Sequence, residues 1–368
     1  MKSSIRKSRR DVLRSAATAV SAVALAPMNR LATAQGRAGG KIKLGFDNFS
    51  IRGMNWKAPR LLDYAASLKV DTVLFSDLDV YDSHDAAYLQ RVKAQADRLG
   101  LELHVGTGGV CPTSSRFNDK WGSAEEHLTL TVRIAKALGS PVARCYLGSS
   151  AERRGDGGIF RHIDSTVKVC KAVRNRAVDA GVRIAIENHA GDMQAWELVE
   201  LIKAAGEDYV GATMDSGNAV WALEDPLVNL EILGPYAAST GLRDSAIWAT
   251  DRGANVQWTD LGDGQVDFKA YVKRFAELCP GVPFILEIIS GGPREFPYLD
   301  PEFWSAFPKA RAHEFARFVA MAKRGRPPTS PPDRPTGPRS RELAGRQQRY
   351  DLERSVKYSK EVLGLGRK

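Results

Sequence analysis

The chain has 368 residues, a hydrophobic fraction of 43% and a formal net charge of +10, long enough for one α/β barrel of about 250 residues plus extensions. The positive charge sits at the ends: residues 1–34 carry seven Lys/Arg and one acid, and residues 323–368 carry thirteen and five. The body between them is therefore mildly acidic, which argues against a nucleic-acid-binding domain with a basic face.

Residues 1–34 read as a signal segment and stay outside the fold argument. Ser8-Arg9-Arg10-Asp11-Val12-Leu13-Arg14 has the form of a twin-arginine export signal, followed by an Ala-rich run over 16–26 and Ala32-Thr33-Ala34 as a cleavage site. The run is too short for a stable membrane anchor. These features point to the twin-arginine export machinery as a partner and to a periplasmic or secreted location.

From residue 41 onward, apolar runs and helical patterns alternate. Strands are expected at 41–46, 70–75, 101–105, 142–147, 182–186, 210–214, 237–242 and 282–289. Helices are expected at 59–69, 86–99, 124–138, 163–180, 195–205, 226–233, 267–278 and 301–322. Eight strand–helix repeats predict an α/β fold, a (β/α)8 TIM barrel over 35–324. The Gly-bearing stretch 246–266 is read as a long loop over the barrel mouth. Residues 325–340 form a Pro/Arg-rich linker. Residues 341–368 form a basic C-terminal helix, expected to pack on the barrel or a neighbouring subunit, with an independent nucleic-acid arm as the less favoured reading. A homo-oligomer is left open. Cys111, Cys145, Cys170 and Cys279 have no metal or redox spacing and read as small buried thiols.

Three strands end in acids. The strand at 182–186 delivers Glu187, with Asn188 and His189 behind it; the next delivers Asp215, with Gly217 and Asn218; the last delivers Glu287. Side chains at the carboxyl ends of barrel strands converge on one mouth. Three buried acids are costly without a cation, and a hard divalent ion with oxygen ligands supplies one.

With these placements the chain resembles the xylose-isomerase-like sugar isomerase/epimerase barrels over roughly residues 41–322. The matching pieces are Ile186-Glu187-Asn188-His189, Met214-Asp215-Ser216-Gly217-Asn218, Leu261-Gly262-Asp263-Gly264 and Leu286-Glu287-Ile288. The resemblance implies a divalent metal held by Glu187, Asp215, Glu287 and a histidine. The family pattern at the seventh strand is His, an apolar residue, Lys or Arg, then Asp. Here it reads Gly241-Leu242-Arg243-Asp244, so Gly241 stands in the ligand's place. Three carboxylates can still hold Mn²⁺ or Mg²⁺ with water or substrate oxygens; Gln257 or His104 are the side chains that would reach in.

By the same resemblance Glu187 and Glu287 move protons through an enediolate, and Asp215 is a metal ligand only. His104, His189, Asn218 and Arg243 are the substrate-binding candidates; for the last three the alternatives are loop capping by His189 and Asn218 and an Arg243–Asp244 pair. The expected substrate is a small keto-sugar or cyclitol, and the expected activity isomerisation or epimerisation. A lyase or deglycosylating enzyme on 3-keto sugars and a non-catalytic sugar-binding barrel are the alternatives. An abasic-site nuclease is disfavoured by six scattered histidines and the acidic body.

Overall fold

A computed structural model describes residues 41–367; the twin-arginine motif and the cleavage site lie outside the described residues. Eight short strands, β1 (Leu44–Asp47), β2 (Thr72–Phe75), β3 (Glu102–Gly109), β4 (Val142–Tyr146), β5 (Arg183–Glu187), β6 (Val210–Met214), β7 (Ala237–Thr240) and β10 (Phe284–Leu286), form one parallel sheet. β10 pairs with β1, Leu44 opposite Phe284. The ring closes after β7, where Leu242 N–H donates to the Ile285 carbonyl at 2.7 Å and Glu287 N–H to the Leu242 carbonyl at 3.0 Å. This is the expected TIM barrel.

The helices α1 (Ala58–Ser67), α2 (Ala86–Leu99), α3 (Ala124–Leu138), α4 (Gly158–Ala180), α5 (Ala195–Ala205), α6 (Ser216–Trp221), α7 (Pro226–Leu233) and α8 (Phe268–Leu278) lie between the strands. Their ends follow local chemistry. Ser123 and Glu126 form a capping box on α3, while Gly100 and Gly139 stop α2 and α3 at φ of +66° and +69°. Leu61, Leu62, Leu128, Val132 and Ile134 pack into one core with the strands. All four cysteines are free and buried, as expected.

Two regions differ from the sequence reading. The stretch read as a loop is a hairpin, β8 (Asp244–Thr250) with β9 (Gly253–Thr259), to which β11 (Arg294–Phe296) adds a third antiparallel strand. Ile247 lies opposite Val256 and both are buried, so the alternation that builds this sheet was present but masked by the surrounding Gly, Asp and Thr. The last helix is broken at Pro308: a short 3-10 turn at Pro301–Ala306 precedes α9 (Ala312–Arg324).

The basic tail packs on the barrel. Helix α10 (Arg341–Glu361) is capped by Ser340, whose side chain accepts from Leu343 N–H. It buries Leu352 and Val356 in the barrel core. Its Gln348 accepts Gly53 N–H at 2.8 Å, and Ser355 accepts Leu261 N–H at 3.1 Å. In the linker, Arg334 grips Asp351 through two bonds of 2.9 and 2.7 Å and reaches Ser290 at 3.0 Å. Arg334, Arg349 and Arg354 of the tail thus serve intramolecular pairs. Because Leu352 is fully buried, Leu352→Ala should lower the urea unfolding free energy by about 2–5 kcal/mol; a change under about 0.5 kcal/mol would show the tail to be dispensable for the fold.

Glu224 joins α5 to α7: it accepts Ala195 N–H and the Asn229 amide, at 2.8 and 2.9 Å. Burial pushes its carboxyl up to about 8, although those hydrogen bonds oppose the shift. Its contribution to stability is therefore full below the unfolded pKa of about 4.3 and is lost as pH rises through the folded value. Glu224→Gln should flatten the decline in unfolding free energy between about pH 5 and about pH 9; an unchanged slope would refute this source.

Candidate active site

Glu187 closes β5, Asp215 follows β6 and Glu287 follows β10. One oxygen from each lies within 4.8 Å of the others, and all three residues are buried. Two buried arginines face them. Arg144, inside β4, donates from Nε to Glu187 Oε2 at 2.6 Å and from Nη1 to the Thr107 carbonyl at 3.0 Å. Arg243 donates from Nη2 to both Asp215 Oδ2 and Glu287 Oε2.

A fourth acid, Asp47, ends β1. Its Oδ1 accepts Phe49 N–H and the Ser76 hydroxyl at 2.7 and 2.6 Å, while Oδ2 is buried without a partner. Burial, and then the charge of Glu287, push the Asp47 carboxyl well above the usual range. Burial likewise raises Glu187 to about 7, although Arg144 opposes it. Asp215 also moves upward because it is buried, against the pull of Arg243.

Amides fix the acids. Asn218 Nδ2 donates to Asp215 Oδ2 at 2.7 Å and to Glu187 Oε1 at 3.1 Å. Asp215 Oδ1 accepts the N–H groups of Gly217 and Asn218 at 2.8 and 2.9 Å. Asn188 clamps the Asp215 backbone from both sides, at 2.9 Å each. Asp244 does not pair with Arg243; it accepts backbone N–H groups from Ser245, Gly262, Gly264 and Val266. A Cβ on Gly264 would collide with that carboxylate, which explains the glycine in the Leu261–Gly264 motif.

His189 donates from Nδ1 to the Gly148 carbonyl at 2.6 Å, leaving Nε2 as acceptor. Its ring stacks on Tyr146 at 3.8 Å, and burial, helped by Arg144, lowers its pKa to about 3, so it stays neutral. Trp221 and Trp258 make a second stack at 3.9 Å. His104 is not brought to the cluster: its ring nitrogens meet Ser239 Oγ and Glu102 Oε1, at 2.9 and 3.2 Å. Asp47, Arg144 and Tyr146 were missed in the sequence, although a charged residue inside the apolar run of β4 was a visible signal for Arg144.

The xylose isomerase-like TIM barrel family model matches residues 62–305. The chain belongs to this family. It is 26% identical over 176 residues to the uncharacterized protein YihM of Escherichia coli (strain K12), covering 48% of each chain, so it spans about half the length of that relative. It is 20% identical over 212 residues to a 3-oxo-isoapionate decarboxylase of Pectobacterium atrosepticum, 57% of this chain and 70% of that one. Among solved structures, a D-psicose 3-epimerase in the presence of D-fructose aligns at a TM-score of 0.58 and 15% identity, over 88% of this chain and all of that one. The IOLI protein with a bound zinc atom aligns at 0.53 and 15%, over 76% and 95%. At these identities the structural likeness establishes the fold.

A metal centre here would draw on Glu187, Asp215 and Glu287, and their convergence meets its first requirement. The remaining donor set does not fit. A Cβ at Gly241 would lie 3.3 Å from Glu287 Oε2 and 4.0 Å from Asp215 Oδ2, so the position faces the acids but offers no ligand. Those same two oxygens already hold the Arg243 guanidinium. His104 is engaged elsewhere, and Gln257 lines a small cavity with Pro328, Pro331 and Asp351.

Removing one member of a buried pair strands the other charge. Arg144→Met should cost about 3–5 kcal/mol of unfolding free energy, and Arg144→Met/Glu187→Gln should recover most of it. Additive losses in the double-mutant cycle would show that the two groups do not depend on each other.

Proposed function

We propose that the protein is an isomerase or epimerase of a keto-sugar or cyclitol, moving a proton on and off the carbon next to a carbonyl. The observation that carries this reading is the meeting of Glu187, Asp215 and Glu287, from three strands, at one end of the barrel. The family relationship supports an enzyme of this general kind, and the D-psicose 3-epimerase shares the fold.

Glu187 and Glu287 are the proton-moving groups. Glu187, raised to about 7 by burial, can give and take a proton near neutral pH. Asp215 is held by too many donors to swing and instead orients Arg243 and Asn218. Asn218 Oδ1, buried without a partner, and His189 Nε2 are acceptors for substrate hydroxyls. The Tyr146–His189 stack offers a flat face for the C–H side of a sugar ring. A cavity of about 240 Å³ lies on the far side of Tyr146, lined by Asp77, Thr107, Arg116 and Trp121 and by none of the three acids.

The similarity to a 3-oxo-isoapionate decarboxylase supports a second reading. Loss of CO₂ from a 3-oxo acid also generates an enolate, an enediolate where the carbon that loses CO₂ carries a hydroxyl, and protonation of that carbon by the same acids would complete it. Carbon dioxide release separates the two.

Incubation with ketohexoses and inososes in D₂O should place deuterium at the carbon next to the carbonyl. Glu287→Gln should slow that exchange by about 10²–10⁴-fold with unchanged circular dichroism. Exchange at the parent rate would remove Glu287 from the chemistry.

A further inference from the structure

We infer that Arg243 is the permanent cation of this site, occupying the place of the family's metal ion and offering a guanidinium N–H to the substrate oxygen where negative charge develops. The identity of that oxygen rests on the proton-transfer reading above. The position of the arginine does not.

The seat for this side chain is built into the sequence. A Cβ on Gly217 would lie 2.5 Å from Arg243 Cδ and closer still to Cγ. Gly217 has no positive φ, so glycine serves here to make room rather than to bend the chain. The Trp258 ring covers the guanidinium from another side, its centroid 4.4 Å from Cζ. The indole N–H donates to the Gly217 carbonyl at 2.9 Å, tying the cover to the floor. Ser216 fixes the backbone: its hydroxyl donates to the Arg243 carbonyl at 2.6 Å and accepts Arg243 N–H at 3.1 Å. An arginine so enclosed has one orientation.

That orientation is productive. Nη2 bridges Asp215 and Glu287, the two oxygens that a ligand at Gly241 would share with an ion. Nη1 and Nε are buried and have no acceptor. Among the described residues, Asn218 Oδ1 and Asp47 Oδ2 are left over in the same cluster. A metal ion would use only acceptors, whereas unused donors together with unused acceptors suit a carbonyl flanked by hydroxyls.

In the step itself, a carboxylate takes the proton from carbon. The C–H electron pair becomes the new C=C bond, and the carbonyl π pair moves to oxygen. The resulting enediolate oxygen accepts from Arg243, whose guanidinium remains protonated throughout. Return of the proton to the opposite face of the same carbon, as the oxygen re-forms its carbonyl, completes epimerisation; return to the neighbouring carbon, with the proton of the second hydroxyl passing to the first oxygen as the new carbonyl forms, completes isomerisation, and neither needs another reactant.

The test measures metal and turnover separately. Protein purified without chelator should carry well under one divalent ion per chain by elemental analysis. Mn²⁺ added to it should stay free by electron paramagnetic resonance, and EDTA should leave Tm unchanged. Gly241→His/Arg243→Leu, which restores the ligand and removes the competing cation, should gain Mn²⁺ binding. Arg243→Ala should lose about 10²–10³-fold in solvent exchange and regain part of it on adding free guanidinium. One tightly held ion per wild-type chain, with Tm falling in EDTA, overturns the proposal, as does full exchange by Arg243→Ala. Absence of exchange by wild-type protein with every sugar would sink the isomerase reading, while the metal measurements would still decide this one.

Discussion

The constraint on which this barrel's mouth depends is the burial of acids that cannot be left uncompensated. Glu187, Asp215 and Glu287 are at most 4% exposed, and Asp47 is 1% exposed. In such a setting a lone carboxylate costs several kcal/mol or takes up a proton. The protein answers with two arginines of equal burial, Arg144 against Glu187 and Arg243 between Asp215 and Glu287. The pairs bridge different strands, β4 to β5 and the ends of β6, β7 and β10. The same contacts that neutralise the site therefore help close the barrel around it.

The elements surrounding Arg243 follow from its position. Gly217 leaves the floor open, Trp258 arrives on β9, and β9 exists because the stretch after Asp244 folds as a hairpin. Asp244 in turn gathers the N–H groups of Gly262, Gly264 and Val266, so the turn after β9 returns to the end of β7. Helix α10 closes this assembly from outside: Arg354 pairs with Asp263 at 3.0 Å, and Ser355 holds Leu261 N–H. The C-terminal extension is thus connected to the site through the glycine-rich turn.

The strand order and the three acids were legible because both follow from simple patterns. Apolar runs of strand length alternate with amphipathic helices, and each acid stands at the end of a run. What could not be read were contacts that depend on three-dimensional proximity. Arg144 looked like an interruption of β4, and its partner lies 43 residues away. Asp47 precedes an unremarkable turn, and only the closed ring sets it near Glu287. His104 shows the converse: a histidine in a core strand suggested chemistry, but Ser239 and Glu102 satisfy it. Gly241 was visible as a departure, yet its consequence depended on where the neighbouring Arg243 side chain turned.

A fixed guanidinium differs from a bound ion in what it asks of the acids around it. An ion draws charged oxygens to itself and leaves them little basicity, whereas an arginine satisfies particular lone pairs and leaves others free. Here Arg243 engages one oxygen each of Asp215 and Glu287, and Arg144 engages Oε2 of Glu187. Two cations do not balance four acids, and burial moves Asp47 and Glu187 toward their neutral forms. The cluster can therefore carry a proton of its own at neutral pH. The chain builds that store by keeping fewer positive charges than acids in a buried barrel mouth.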